Sequence, residues 1–191
     1  MSMATKREKL IEAATTLIYQ KGFRNTTLAD TANISGVPLG NVYYYFKSKE
    51  SLAKAVIESH KNFYMEQLTL LEKLPDPGSR LNAFLDYIED MLDTLVEYGC
   101  PVGSLCQELD KTKEHIAIDA NNLFKLQIEW LIKQYQKLGS DSPRDHAVEF
   151  TTDLQGATLM AHVLGDKNIL LDRLHKMREK LTIFSVETQS I

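Results

Sequence analysis

Hydrophobic residues recur every three to four positions along most of this chain, which is the spacing of amphipathic helices. Leu10, Ala14, Leu17 and Ile18, for example, share one face of a segment over residues 4–21. The alternation of apolar and polar residues that is typical of strands is absent from the sequence. The pattern predicts an all-α fold of about nine helices. Beyond the N-terminal region, the predicted helices cover residues 48–73, 79–98, a short stretch from about 105, 114–137, 144–164 and 169–184.

Turn and cap residues separate the predicted helices. Gly22 fits the left-handed position that follows a helix, with Phe23 as the hydrophobic residue after it. The Leu-Pro-Asp-Pro-Gly sequence at 74–78 breaks the chain between two helices. Ser104 and Gln107 have the spacing of a capping box, so a short helix is expected to begin near residue 105.

The stretch from residue 25 to 51 carries two short helices around a glycine turn. Thr27 and Asp30 have the spacing of a capping box at the start of the first helix. Gly36 suits a left-handed turn after that helix. The second helix is expected over residues 39–46. This arrangement is the outline of a helix-turn-helix, whose second helix enters the major groove of DNA.

Pro38 and Ser48 flank the second of these helices. Pro38 is expected in its first turn, where a missing N–H costs nothing. Ser48 is expected to cap the long helix that follows, and Glu50 suits the positive end of that helix. Helical hairpins with a glycine turn are common, so this local pattern alone does not establish DNA binding.

The string GVPLGNVYYYFKSKESL resembles the DNA-binding signature of the TetR family of transcriptional regulators. The residues that match the signature are Gly36, Val37, Gly40, Val42, Tyr43, Phe46, Lys49 and Glu50. The resemblance is strong over residues 8–54 and looser over the rest of the chain. It departs at Pro38 and Leu39, where many relatives carry Ser or Thr followed by a basic residue. The resemblance therefore leaves the operator sequence open.

The resemblance implies a DNA-binding surface on the second helix and its flanks. The implied members of this surface are Thr27, Leu39, Gly40, Asn41, Tyr43, Tyr44, Lys47 and Lys49. Gly40 would let the helix approach the DNA backbone, and Asn41 would read a base, with adenine as its best geometric match. Val42 and Phe46 are expected in the core, and Tyr45 in a partly buried position. Core packing remains the alternative for the other tyrosines.

The net charge of −4 conceals two halves of opposite sign. Residues 1–54 contain eight Lys or Arg and four Asp or Glu, a net charge of +4. The remainder contains 14 basic and 22 acidic residues, a net charge of −8. This asymmetry indicates a basic head that faces phosphates and an acidic body that does not face DNA.

The predicted domains are a helix-turn-helix domain at 1–54 and a helical effector-binding and dimerisation domain at 55–191. One short recognition helix reads few base pairs, so a homodimer on a palindromic operator with two half-sites is expected. The resemblance places the dimer interface in the helices at 144–164 and 169–184. Ordinary core packing within one chain is the alternative for the small and aliphatic residues there. These residues are Leu154, Gly156, Ala157, Leu159, Ala161 and Leu164.

The resemblance also implies a cavity in the second domain, where a small-molecule effector would bind and release the DNA. A mixed apolar lining favours a small lipophilic or aromatic effector. Aromatic and Met residues at helical spacing are also the ordinary content of a core, which is the alternative for each candidate. The candidates are Phe63, Phe84, Tyr87, Met91, Leu105, Phe124 and Trp130.

Cys100 and Cys106 are the two cysteines of the chain. Cys100 lies between Gly99 and Pro101, where a helix could begin, and helix N-termini lower the pKa of a thiol. Some members of the family sense electrophiles or oxidants through a cysteine in a similar segment. The resemblance therefore makes Cys100 a candidate sensor at the effector site, with Cys106 as a resolving partner. Burial of both as small hydrophobic residues is the alternative.

Composition narrows the remaining classes. No apolar run approaches the roughly 20 residues of a membrane span, and the N-terminus lacks a signal peptide's apolar core, so a cytoplasmic location is expected. The histidines are scattered, HExxH, CxxC and phosphate-loop motifs are absent, and the acidic groups at 86–90 and 108–110 resemble solvated helix faces. No enzyme activity, metal or cofactor is therefore expected. A small enzyme or a helical protein-interaction module remains the alternative, which salt-dependent, sequence-selective DNA binding would exclude.

Overall fold

The computed structural model describes residues 4–112 and 116–188. These residues form ten α-helices and contain no strand. Because α5 and α6 are separated only by Met91, the predicted all-α fold of about nine helices is confirmed. The helices are α1 (Lys6–Lys21), α2 (Leu28–Ser35), α3 (Leu39–Tyr45), α4 (Lys49–Leu71), α5 (Pro77–Asp90), α6 (Leu92–Tyr98), α7 (Pro101–Thr112), α8 (Ala117–Lys137), α9 (Pro143–Leu164) and α10 (Lys167–Thr188).

The chain packs into two compact units, and each unit is built from segments that are distant in sequence. The first unit consists of Met1–Tyr64 and Pro101–Leu123, so α7 belongs with the three N-terminal helices. The second consists of Met65–Cys100 and Phe124–Ile191. The functional boundary after residue 54 stays a prediction, because compactness does not define where a DNA-binding function ends.

The first unit is organised around α1. This helix packs against α2 and α7, and α2 packs against α3. The predicted apolar face of α1 is confirmed, since Leu10, Ala14, Leu17 and Ile18 are all buried. Val42 of α3 is buried as well, so α1 and α3 both contribute side chains to the core of this unit.

In the second unit, α10 packs against α5, α6 and α9. A carboxylate also organises this unit, because Glu72 near the end of α4 accepts three hydrogen bonds from α8. Its donors are Trp130 Nε1 at 2.9 Å, Gln134 Nε2 at 2.6 Å and Lys137 Nζ at 3.1 Å. Arg80 of α5 adds an ion pair at 3.1 Å. The network fixes the end of α4 against α5 and α8.

Several predicted helix boundaries require correction. The capping box at Ser104 is wrong, because α7 begins at Pro101 and Ser104 lies inside it. The helix predicted over 79–98 is interrupted at Met91, whose φ of −90° and ψ of 3° end α5. The helix α5 begins at Pro77, two residues before the predicted start at residue 79. Asp76 caps it by accepting a hydrogen bond from Ser79 N–H. The predicted start at Glu114 lies outside the described residues.

Candidate nucleic-acid interface

The first helix of the helix-turn-helix is held by the predicted capping box. Thr27 Oγ1 accepts a hydrogen bond from Asp30 N–H, and Asp30 Oδ2 accepts one from Thr27 N–H, both at 3.0 Å. The Lys21 ammonium lies 2.9 Å from the same carboxylate. Lys21, and then Thr27, hold the pKa of Asp30 below its usual value. These contacts fix the exposed Thr27 at the entrance to α2.

The turn after α2 has the predicted left-handed geometry. Gly36 has a φ of 67° and a ψ of 15°, a conformation that favours glycine. Pro38 follows as the residue that precedes α3, not as a member of its first turn. Its carbonyl accepts hydrogen bonds from the amides of Asn41 at 2.8 Å and Val42 at 3.3 Å. The turn therefore determines where α3 begins and which face it exposes.

One face of α3 is buried and the opposite face is exposed. Val42 is completely buried, and Phe46 just beyond the helix is 3% exposed, as the sequence predicted for both. Leu39, Tyr43 and Tyr44 are 41%, 50% and 73% exposed. The helix is therefore anchored by two residues while most of the predicted DNA-binding side chains face solvent.

The remaining residues of α3 complete this exposed face. Asn41 is partly exposed. Tyr45, which was expected in a partly buried position, is exposed at 37%, and its ring meets Tyr44 edge to face at 5.0 Å between centroids. A Cβ built on Gly40 would meet no described atom within 4 Å. Packing within the described chain therefore does not explain why this helical position is a glycine.

The start of α4 lies directly after the recognition helix. Ser48 Oγ accepts a hydrogen bond from Ser51 N–H at 3.2 Å, which confirms the predicted cap. The Ser48 side chain also holds the pKa of Glu50 below its usual value. Lys47 is exposed, as a phosphate-binding residue must be. Arg7 of α1 also lies here, with its guanidinium 5.6 Å from the centre of the Phe46 ring.

Lys49, the other lysine predicted to contact DNA, is engaged inside the first unit. Its Nζ donates to the carbonyl oxygens of Phe23 at 3.0 Å and Arg24 at 2.9 Å. It also lies 4.5 Å from the centre of the Phe23 ring. These contacts tie the start of α4 to the loop between α1 and α2. The Lys49 ammonium therefore positions this loop.

The same loop is held from the other side by Glu108 of α7. The Glu108 carboxylate accepts hydrogen bonds from Phe23 N–H at 2.7 Å and Arg24 N–H at 2.6 Å. Gly22 has a φ of 85° and a ψ of 161°, so its predicted left-handed conformation is wrong although its φ is positive. A Cβ at Gly22 would lie 3.0 Å from Glu108 Oε2. Glycine therefore leaves room for the carboxylate.

Sequence reasoning missed Glu108, which was expected on a solvated helix face. Phe23 and Glu108 are separated by 85 residues, and no spacing rule joins positions so far apart. Glu108 and Lys49 together bind the amide and carbonyl groups of Phe23 and Arg24, and we call these four residues the loop clamp. The loop clamp connects α7 and α4 to the segment that leads into Thr27.

The predicted effector-site residues are divided between the two units. Phe63 and Leu105 belong to the first unit, where Phe63 is 49% exposed and Leu105 is buried. In the second unit, the rings of Phe84 and Trp130 are buried and lie 5.8 Å apart. The structure thus brings Phe84 and Trp130 together. The other four predicted effector-site residues are partly exposed: Tyr87, Met91, Cys100 and Phe124.

The two cysteines differ in exposure. Cys100 is partly exposed immediately before α7, whereas Cys106 within α7 is 6% exposed. Neither forms a disulfide. Cys106 is therefore shielded from reagents in solution, and Cys100 is the more accessible thiol.

The predicted dimer residues on α9 differ in exposure. Leu154, Ala157 and Ala161 are buried within the second unit. Leu159 is 54% and Leu164 is 60% exposed, and a Cβ at the exposed Gly156 would meet no described atom within 4 Å. Core packing thus explains the first three residues, and the other three remain available to a partner.

Comparisons with known proteins agree with this geometry. A family model described as bacterial regulatory proteins, tetR family, matches residues 10–56. An HTH-type transcriptional regulator in the lacX 3′ region of Lactococcus lactis subsp. lactis is 30% identical over 185 residues, covering 88% of this chain and 89% of the relative. The HTH-type transcriptional repressor NemR of Escherichia coli K12 is 31% identical over 103 residues, covering 54% of this chain and 51% of NemR.

A solved structure shows the same fold. The crystal structure of a TetR transcriptional regulator from Legionella pneumophila matches with a TM-score of 0.82 and 24% identity. The matched region covers 94% of this chain and 99% of the Legionella chain.

Among the helices described in this chain, none has the length and apolar character needed to cross a membrane.

Proposed function

The chain belongs to the TetR family of bacterial regulatory proteins, and we propose that it is a repressor that leaves its operator when a small molecule binds. DNA-binding transcriptional regulation follows from the family. The observation that supports the proposed site is the orientation of α3. Val42 and Phe46 anchor one face, while Leu39, Tyr43 and Tyr44 project from the other.

The exposed face of α3 has the chemistry of a major-groove reader. Asn41 carries both a donor and an acceptor, which matches the N7 and N6 edge of adenine. Tyr43 and Tyr44 offer hydroxyl groups to phosphates. The absence of a side chain at Gly40 lets the backbone of the helix approach DNA.

Phosphate contacts flank this helix. Thr27 uses Oγ1 as an acceptor in its capping box, so its hydroxyl hydrogen remains able to donate to a phosphate. Lys47 is exposed beyond the end of α3. We assign Lys49 a positioning role in the loop clamp, because its ammonium already has two carbonyl partners. The proposed contacts therefore fix the register of the helix through residues on both sides of it.

We propose that the protein binds a palindromic operator as a homodimer. One recognition helix reads few base pairs, and two half-sites supply the missing affinity and specificity. Gly156 and Leu159 give α9 an exposed face with a small residue at which a partner helix could approach closely, and Leu164 is exposed at the end of the same helix. This face supports a dimer interface on α9.

The proposed effector is a small lipophilic or aromatic molecule that binds the helical C-terminal region. The paired rings of Phe84 and Trp130 support an aromatic site there. The NemR relative is named a transcriptional repressor, which supports the repressor role. A thiol-reactive electrophile that modifies Cys100 is the second candidate effector, supported by the partial exposure of that thiol.

The proposed operator binding would place the protein in the cytoplasm. This function requires no enzyme activity.

The proposal can be tested by fluorescence anisotropy on DNA from the promoter beside the gene and on DNA selected from a random pool. We expect Lys47→Ala to weaken binding on all sequences and to reduce the salt slope by about one. Tyr43→Phe should also weaken binding, because it removes the hydroxyl group that is proposed to contact a phosphate. The aromatic ring is retained in this variant. Lys125→Ala, an exposed lysine on α8, is the control.

Two outcomes decide whether the protein binds DNA through this surface, and a third concerns the effector. Salt-dependent, sequence-selective binding that Lys47→Ala weakens and Lys125→Ala preserves would support it. Failure of the wild-type protein to bind either DNA at low salt would reject DNA binding through this surface and favour a helical interaction module or a small enzyme. Release of wild type by an electrophile, but not of Cys100→Ser, would identify the second candidate effector.

A further inference from the structure

The helix-turn-helix exposes an unusual concentration of hydrophobic side chains. Among the described residues, 15 large hydrophobic side chains are exposed, and five of them lie within residues 34–45. Two of these five are purely aliphatic. Ile34 in α2 is 59% exposed and Leu39 in α3 is 41% exposed. Single exposed hydrophobic residues need no explanation, whereas five within twelve residues of a helix-turn-helix call for one.

Leu39 holds the position from which a recognition helix reads bases. It is the first residue of α3, and side chains near the N-terminus of such a helix contact base edges. Pro38 lacks an N–H and provides no side-chain hydrogen bond to the helix. Gly40 has open space where its side chain would be. The entrance to α3 is therefore apolar, and Asn41 is its first polar side chain.

The major groove offers one apolar group to such an entrance. Each base presents hydrogen-bonding groups at its major-groove edge, and thymine alone adds a 5-methyl group. Leucine can neither donate nor accept a hydrogen bond. Against the other bases it would cover polar edges without pairing them, which is unfavourable. Against thymine it would bury a methyl group.

We propose that Leu39 selects a thymine in each operator half-site by apolar contact with the 5-methyl group of that base. The inference rests on the proposed operator binding through α3, and it names part of the sequence that α3 reads. Most of the discrimination at this position then comes from a methyl group and not from a hydrogen bond. The expected preference is modest, since burial of one methyl group changes affinity by about fourfold.

The test replaces single thymines of the selected operator with deoxyuridine, which lacks only the methyl group. At one symmetric pair of positions, we expect wild type to lose about fourfold in affinity per replaced thymine. Cytosine at that position should weaken binding. Leu39→Ala should bind the thymine and deoxyuridine operators equally well. Ile34→Ala is the matched control, because Ile34 is an exposed aliphatic residue on the preceding helix and should retain the fourfold difference.

The outcomes separate this inference from the function on which it rests. Selective operator binding that is unaffected by every thymine-to-deoxyuridine replacement would overturn the role of Leu39 and leave the repressor proposal intact. A deoxyuridine effect that survives in Leu39→Ala, or disappears in Ile34→Ala alone, would also overturn it. Failure of wild type to select any DNA sequence would overturn both proposals.

Discussion

The loop clamp makes Glu108→Ala the most informative substitution in the first unit. The change removes the acceptor for Phe23 N–H at 2.7 Å and for Arg24 N–H at 2.6 Å. It leaves Lys49 bound to the carbonyl groups of the same two residues. We therefore expect a loop that is held from one side only, within a unit whose helices keep their packing.

The expected cost follows from the environment of the two amides. A hydrogen bond to a charged group contributes about 1.5–3 kcal/mol, and a buried donor that loses its acceptor costs a similar amount. The Arg24 amide is exposed, so water can replace the carboxylate there, whereas the Phe23 amide is partly buried. We expect the Phe23 amide to account for most of a loss of about 1.5–3 kcal/mol in the stability of the loop.

Amide hydrogen exchange measured by NMR reports this loss at the two residues concerned. A change of about 1.5–3 kcal/mol corresponds to exchange that is roughly tenfold to a hundredfold faster. Glu108→Gln keeps one acceptor oxygen and should show a smaller effect. Gln107→Ala on the same helix is the control. Unchanged exchange at Phe23 and Arg24 in Glu108→Ala would show that the carboxylate does not hold the loop, and would refute the loop clamp.

Three further predictions concern other parts of the molecule. Gly40→Ala should raise the free energy of unfolding by about 0.5–1 kcal/mol, because glycine weakens a helix and the new Cβ meets no described atom. The same variant should bind operator more weakly, and equal binding would contradict close approach to DNA. Leu159→Asp should shift sedimentation towards the monomer, because Leu159 is 54% exposed on the proposed interface, while Ile118→Asp, at a 68% exposed position on α8, should not. Burial lowers the pKa of His60 below 6.5, so its contribution to stability is present above pH 6.5 and is lost as the pH falls below that value. Urea unfolding of His60→Gln should therefore show less destabilisation between pH 6.5 and 5.5 than wild type, and an identical pH dependence would exclude His60 as a cause.

Predictions that depended on neighbouring residues were confirmed at the helix-turn-helix. The capping box of Thr27, the left-handed Gly36 and the burial of Val42 all follow from side chains within a few positions of one another. Local signals did not predict the start of α7, where two helix-start signals lie close together. The capping-box spacing at Ser104 is present, but Pro101 begins the helix three residues earlier.

The rotational position of a helix was harder to predict than its existence. On α9 the small and aliphatic residues looked like one surface in sequence, yet Ala157 and Ala161 are buried while Gly156 and Leu159 are exposed. Helical spacing shows that a helix has an apolar stripe. It does not show which part of a broad stripe the chain itself covers, because that depends on how α10 packs against α9.

The sequence by itself determined the all-α fold and the turn between α2 and α3, because caps, turns and periodicity act over a few residues. Only the tertiary structure decided that Glu108 and Lys49 hold the loop before Thr27, and that Glu72 joins α4 to α5 and α8. Apart from the ion pair of Glu72 with Arg80, these contacts join positions tens of residues apart. Their partners are chosen by packing in three dimensions, and no spacing along the chain encodes that choice.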